Sequence, residues 1–329
     1  MLEGFLRALA GLQAYSDALA WVVVTAFVLG VVLDRLERFD RRIARCVSAG
    51  AWVAFGVFWL SLVHYYGIEG KSIIEGILSL LAVPASVYVA VLLVRGRDSL
   101  LTLSRAVAAM GLLFLPFEVI VPLQRVLIEV VTRQTEALLA VVDYPSGGVY
   151  EVVSGANYDK APYRNTFVFT TTSGHTLTYT IRLACTGIGS IAIVAGLIAA
   201  VRAPAARKLR ALAISVPVIY GLNLLRNVFI AVAFGTQRLQ VFPEVVLALF
   251  SSEDPYLVSY LVADRILSQS LSVLALIGIT WLVVRRLPEV LTIVEDVLYV
   301  VTRNEYDLWD AFDAETSKPE AGDPGTKAD

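Results

Sequence analysis

The sequence predicts an all-α polytopic membrane protein, a bundle of about seven transmembrane helices with a small extracytoplasmic β-hairpin insert. Three observations lead there. Of the 329 residues, 57% are hydrophobic and only 17% are charged, against about 25% charged in an ordinary soluble domain. Mean hydropathy is +0.70. Apolar runs near 20 residues recur at 16–33, 47–66, 73–94, 106–131, 185–201, 211–234 and 263–284, each close to the length that crosses a ~30 Å hydrocarbon layer at ~1.5 Å per residue.

Each element follows in order. The first 15 residues, Met1 to Tyr15, carry Glu3 and Arg7 and no continuous apolar core, so no signal peptide is expected. The loop after the first run holds Arg35, Arg38, Arg41, Arg42 and Arg45, and the loop after the third holds Arg95, Arg97 and Arg105. The loop after the fifth holds Arg202, Arg207, Lys208 and Arg210, and the last run exits at Arg285 and Arg286. The short alternate loops are poor in cations, with Lys71 in one and Arg238 in another. The basic side is cytoplasmic by the positive-inside rule, which puts the N-terminus and residues 132–184 and 235–262 outside and the C-terminus inside.

The external insert alternates apolar and polar residues from Asn165 to Arg182 with a break at Ser173-Gly174, the pattern of a β-hairpin. A weaker strand is expected at Val149–Val153, after Pro145 and Gly148. Residues 287–301 form an amphipathic stretch lying on the inner leaflet or the bundle, and the acidic tail beyond Arg303 reads as solvating chain. The division is then helices one to four in 1–133, the insert in 134–184, catalytic helices five to seven in 185–286, and the cytoplasmic segment with its tail in 287–329.

Composition removes several function classes. Lys plus Arg number 27 and Asp plus Glu 29, so there is no basic field for nucleic acid. Two cysteines, Cys46 and Cys185, and two histidines, His64 and His175, leave no disulfide framework and no expected metal centre or cofactor.

Cys185 is the residue best placed for chemistry. It falls where the hairpin meets a membrane helix, whose N-terminal partial charge favours thiolate. Thr186, Gly187, Gly189 and Ser190 follow it, small enough for backbone N–H groups to approach a carbonyl oxygen. A buried structural cysteine is the plain alternative, and it is the reading kept for Cys46. Arg226, in Asn223-Leu-Leu-Arg226-Asn227, lies about eight residues inside its span, where a charge needs a partner or a wet cavity. Arg265, beside Asp264, stands near the outer entrance of the last helix. Helix direction puts all three in the outer third of the bilayer. Direct pairing of Asp264 with Arg265 is not expected, since helix neighbours point ~100° apart. Glu75, Glu118 and Glu129 are read as structural or gating, with Glu118 lining a cavity or pairing with Arg125.

Ala184-Cys185-Thr186-Gly187, Leu225-Arg226-Asn227 and Arg265, in this order on consecutive helices, resemble the active site of the exosortase/archaeosortase family. Many members have His at the third position; an Arg there resembles the archaeal branch. The resemblance covers the membrane domain from about the second helix to the seventh and leaves out the tail. It implies a membrane cysteine transpeptidase that cuts surface proteins at a C-terminal signal made of a Pro-Gly-Phe type motif, a transmembrane helix and a basic cluster. Cys185 would form a thioester, and a membrane lipid would accept the product. The family description makes the first arginine a proton donor and the second a transition-state stabiliser. Because a guanidinium in a protein is effectively never deprotonated, Arg226 is better read as a polarising hydrogen-bond donor. His64 and His175 are accessory candidates for a general base, with Thr186, Gly187, Asn223 and Asn227 as supporting residues. The alternatives are a transporter using Glu118, Arg125 and Arg226, and a rhomboid-like serine protease using Ser190.

Overall fold

The computed structural model describes residues 11–36, 40–69, 73–142, 150–158, 160–171 and 174–310. Glu3, Arg7, Arg38, Lys71, Pro145, Gly148, Ser173 and most of the acidic tail lie outside them. Helices α1 (Ser16–Arg35), α2 (Arg41–His64), α3 (Ile73–Val94) and α4 (Leu100–Val119) form the first half. The Asp40 carboxylate caps α2 by accepting from the Arg42 amide at 2.9 Å. Their shared core centres on Phe27, Trp52, Leu93 and Leu100, and the Trp52 indole donates to Ser104 Oγ at 2.9 Å. Small residues let these helices approach closely: a Cβ on Gly30 would meet Ser48 Oγ at 2.5 Å, and one on Gly111 would meet Val24 at 2.4 Å. That is how helices pack in lipid, where hydrophobic burial gives no driving force. Outward, α3 exposes Ile77, Leu78, Leu80 and Leu81, each more than half accessible, an apolar face suited to acyl chains rather than water.

The expected fourth span at 106–131 is corrected. Residue Ile120 is extended, with ψ 93°, and α5 (Val121–Val141) begins anew with Pro122 in its first turn. Pro122 has no N–H to donate back to the Glu118 carbonyl and is tolerated only in the first turn of a helix, so the ladder breaks here and the span ends at Val119. A largely apolar stretch from Gly111 to Val121, interrupted only by Glu118, hid this break. Helix α5 is amphipathic; it buries Ile128, Val131 and Leu139 and carries Arg125, Glu129, Arg133 and Glu136.

The insert is an antiparallel sheet in the order β1 (Tyr150–Ser154), β2 (Arg164–Thr170), β3 (Thr176–Thr180). The expected hairpin is β2–β3 and the weaker strand is β1. Phe167 pairs with Tyr179 and Phe169 with Leu177. Alternation of period two puts all four on one buried face, against Ile128, Val131, Leu139, Val228 and Ala231. The sheet thus covers one end of α5 and α7.

From β3 the chain makes a short 3₁₀ turn, Leu183–Thr186, and enters α6 (Ile188–Ala200). Helix α7 (Ala205–Gly235) returns, and α8 (Pro243–Leu249) leads to α9 (Pro255–Val284), which is π-helical over Leu261–Ser268. Among the described residues six helices are long and apolar enough to cross a membrane, and the 13-residue α6 is a shorter apolar helix beside them. The amphipathic stretch becomes α10 (Leu291–Thr302), with Leu287, Val290, Leu291 and Ile293 packed on the bundle. At this arginine-rich end Asp296 takes Arg97 Nε at 3.2 Å and Ser99 Oγ at 2.7 Å.

Candidate active site

Cys185 occupies the turn ahead of α6, outside the membrane helix and partly exposed. Its backbone is fixed on both sides. Its N–H donates to Arg182 O at 2.9 Å, and its carbonyl accepts from Asn223 Nδ2 at 2.7 Å and Asn227 Nδ2 at 2.8 Å. The two asparagines sit four residues apart on α7, so one helical face presents both amides. Gly187 adopts φ +80° at the helix start, and a Cβ there would meet Asn223 at 3.1 Å. Glycine is favoured by the left-handed conformation, and the close Asn223 side chain leaves little room for a Cβ. Thr186 is buried, its hydroxyl donating to Leu183 O at 2.7 Å, which closes the turn.

Behind Asn227 stands Tyr179 of β3, whose hydroxyl donates to Asn227 Oδ1 at 3.3 Å. Burial pushes this phenol well above its ordinary pKa, and the neighbouring Cys185 charge pushes the same way, so Tyr179 remains a donor. That fixes the orientation of the Asn227 amide, with its N–H₂ toward Cys185.

Arg226, on the same helix, donates from Nη2 to Asp264 Oδ1 at 2.6 Å. It is close enough to Cys185 to act on it electrostatically, as is Asp264. Its Nε is buried without a hydrogen-bond partner, a desolvated cationic donor near the cysteine. Arg265 reaches the same aspartate, Nε to Oδ2 at 3.6 Å, and Glu75 of α3 at 3.9 Å. The pairing of neighbours Asp264 and Arg265 corrects the expectation of an ordinary helix. Both lie in the π-helical stretch of α9, where the wider turn brings consecutive side chains closer in direction; such segments recur at functional sites. Tyr260 also hydrogen-bonds Asp264 and lies within electrostatic reach of Cys185. The structure thus places Arg226 within electrostatic reach of Cys185 and links Arg265 to Arg226 through Asp264.

The expected thiolate is also corrected. Burial pushes the Cys185 thiol above its ordinary pKa, and the Arg226 cation opposes this without reversing it. The start of α6 lies three residues beyond the cysteine, where the pull of the helix terminus is weak.

Other sequence candidates fall elsewhere. His64 pairs with Gln13 Oε1 at 3.1 Å. His175, at the hairpin tip, stacks on Tyr256 with ring centroids 4.1 Å apart and ties the sheet to the start of α9. Arg125 pairs with Glu129 at 3.0 Å, not with Glu118. Ser190 is exposed on α6. Asp264, noted only as the neighbour of Arg265, and Tyr179 and Tyr260, not singled out at all, are the residues that sequence reasoning missed here. An aspartate beside a membrane arginine, 38 residues after another membrane arginine, was the available signal for the first.

Residues 12–252 match the transmembrane exosortase family. The chain is 51% identical over 303 residues to archaeosortase A of Haloferax volcanii, spanning 89% of this chain and 96% of that protein. It is 42% identical over 289 residues to archaeosortase A of Natronomonas pharaonis, spanning 87% and 89%. No solved structure matches it. The family match includes Cys185 and Arg226 and ends before Asp264 and Arg265, while likeness to the two relatives runs over most of the chain. The chain belongs to the transmembrane exosortase family.

Proposed function

We propose that the protein is a membrane cysteine transpeptidase that sorts surface proteins, with Cys185, Arg226 and Arg265 at its catalytic centre. One observation carries this reading: a partly exposed cysteine has its own carbonyl clamped by two asparagine amides, beside a buried guanidinium with an unpartnered Nε–H. Such a site presents a fixed nucleophile and a fixed cationic donor to a carbonyl. The name archaeosortase borne by both relatives supports surface proteins as substrates, and a Pro-Gly-Phe type C-terminal signal is the sequence class we assign.

The chemistry runs in two balanced steps. The Cys185 Sγ attacks the scissile carbonyl, the C–N bond breaks, and the thiol proton leaves with the departing amine, giving a thioester. A nucleophilic group of a membrane lipid then attacks the thioester and returns its proton to the sulfur, freeing Cys185 and leaving the protein lipid-linked. Arg226 stabilises the oxyanion of each tetrahedral intermediate from a fixed position, which is where a preorganised charge is most effective. Arg265 and Asp264 hold that guanidinium in register. With the thiol protonated at rest, substrate binding beside Arg226 precedes thiolate formation. The arginine-rich end is cytoplasmic in this reading, so the N-terminus and the site face outward and the C-terminus inward.

Substrate processing in cells lacking the native gene tests the proposal. Cys185→Ala abolishes processing, and Arg226→Lys lowers its rate by about 10²–10³-fold, because a point-like ammonium does not replace planar donation. Normal processing by Cys185→Ala would refute the thiol mechanism.

A further inference from the structure

At the end of the bundle opposite Cys185, a cavity of about 590 Å³ opens among the ends of α1, α4, α6 and α7. Its charge is strongly unbalanced. Arg35, Arg41, Arg105, Arg202 and Lys208 line it against a single carboxylate, Asp34. Asp34 is already taken by Arg105 Nη2 at 2.9 Å, and Arg41 leans toward Asp98 at 3.8 Å. Among the described residues Arg35 and Arg202 have no acidic partner, and Lys208 Nζ reaches only the Ala199 carbonyl, at 2.9 Å. Arg105 adds a second sign of a missing ligand: its Nε is buried and unpartnered, although a buried guanidinium N–H normally finds an acceptor.

Several like charges around one space repel each other unless an anion joins them. The cavity lies where α1 ends at Arg35 and α7 begins at Ala205, at the ends of two helices long and apolar enough to cross a membrane. Arginine forks match phosphate oxygens in pairs, and lysine adds a mobile charge. We propose that this cavity binds a phosphate group, supplied either by the headgroup of an anionic membrane lipid or by free phosphate. Its occupant bridges the adjoining ends of α1 and α2 to the α6–α7 link and neutralises this end of the bundle. The site is separate from the catalytic centre and does not rest on the proposed reaction.

The full-length protein in neutral detergent tests this at low ionic strength, since ~0.1 M salt screens charges beyond ~10 Å. Thermal unfolding and native mass spectrometry are read with phosphatidylglycerol, zwitterionic phosphatidylcholine and inorganic phosphate as separate probes. A rise in Tm of about 2–4 °C with phosphatidylglycerol identifies a lipid headgroup as the source; the same rise with inorganic phosphate identifies the free anion. Arg202→Gln with Lys208→Gln weakens binding of the effective probe by roughly tenfold or more, whereas Arg210→Gln, exposed and outside the cavity, does not. Should the double variant fail to fold, Arg202→Gln alone gives the same comparison through an exposed side chain. No response to either phosphate probe, an equal response to phosphatidylcholine, or equal binding by wild type and the Arg202 variant would overturn the proposal.

Discussion

At Cys185 the backbone is held more firmly than the thiol is charged. Two amides from α7 and one N–H bond within the turn fix its position, while burial disfavours the thiolate and raises the pKa. Thiolate is the reacting form in alkylation. The rate of Cys185 alkylation by iodoacetamide in the substrate-free protein therefore climbs with pH through a midpoint above that of an ordinary cysteine. A plateau already reached at neutral pH would show a preformed thiolate instead. Cys185 was singled out by its neighbours, small residues after it and a hairpin before it, with a buried structural cysteine left open as the plain alternative. Its protonation was not legible, because desolvation depends on what Tyr179, Tyr260 and Asp264 bring from strands and helices distant in sequence.

Among the elements, the π-helical stretch of α9 decides how the two arginines meet. It turns Asp264 toward Arg226 at 2.6 Å while keeping Arg265 within 3.6 Å of the same carboxylate. Asp264→Asn keeps the shape and removes the charge that joins the guanidiniums. Its turnover is expected to fall by about 10²-fold with little change in KM, and Asp264→Glu to recover part of it. A merely structural loss would lower Tm and move KM as well; unchanged turnover would remove Asp264 from the site. The hairpin was readable because alternation of period two survives in any environment, as the Phe167–Tyr179 and Phe169–Leu177 pairs confirm. The π segment was not, since apolar periodicity carries no mark of an i→i+5 ladder. The break at Ile120 was half-legible: Pro122 announced it, and the apolar run around it concealed it.

Across the whole molecule the two ends have different electrostatics. The arginine-rich end is laced by ion pairs joining distant segments, Arg105 with Asp34, Arg97 with Asp296 and Arg207 with Glu289. The opposite end carries the sheet and the cysteine site. The alternation of basic loops announced this polarity from the sequence, whereas the partners of each arginine required the packed helices. With the arginine-rich end inside, a membrane-impermeant maleimide added to intact cells labels Cys185, and exposed Cys46 reacts only after permeabilisation. The reverse order would invert the topology. The central claim, that Cys185 carries the substrate as a thioester, is tested most directly by mass spectrometry of the purified enzyme incubated with a Pro-Gly-Phe peptide and no lipid acceptor. The account predicts an acyl fragment on the Cys185 peptide that hydroxylamine releases; peptide cleavage with that cysteine never modified would contradict it.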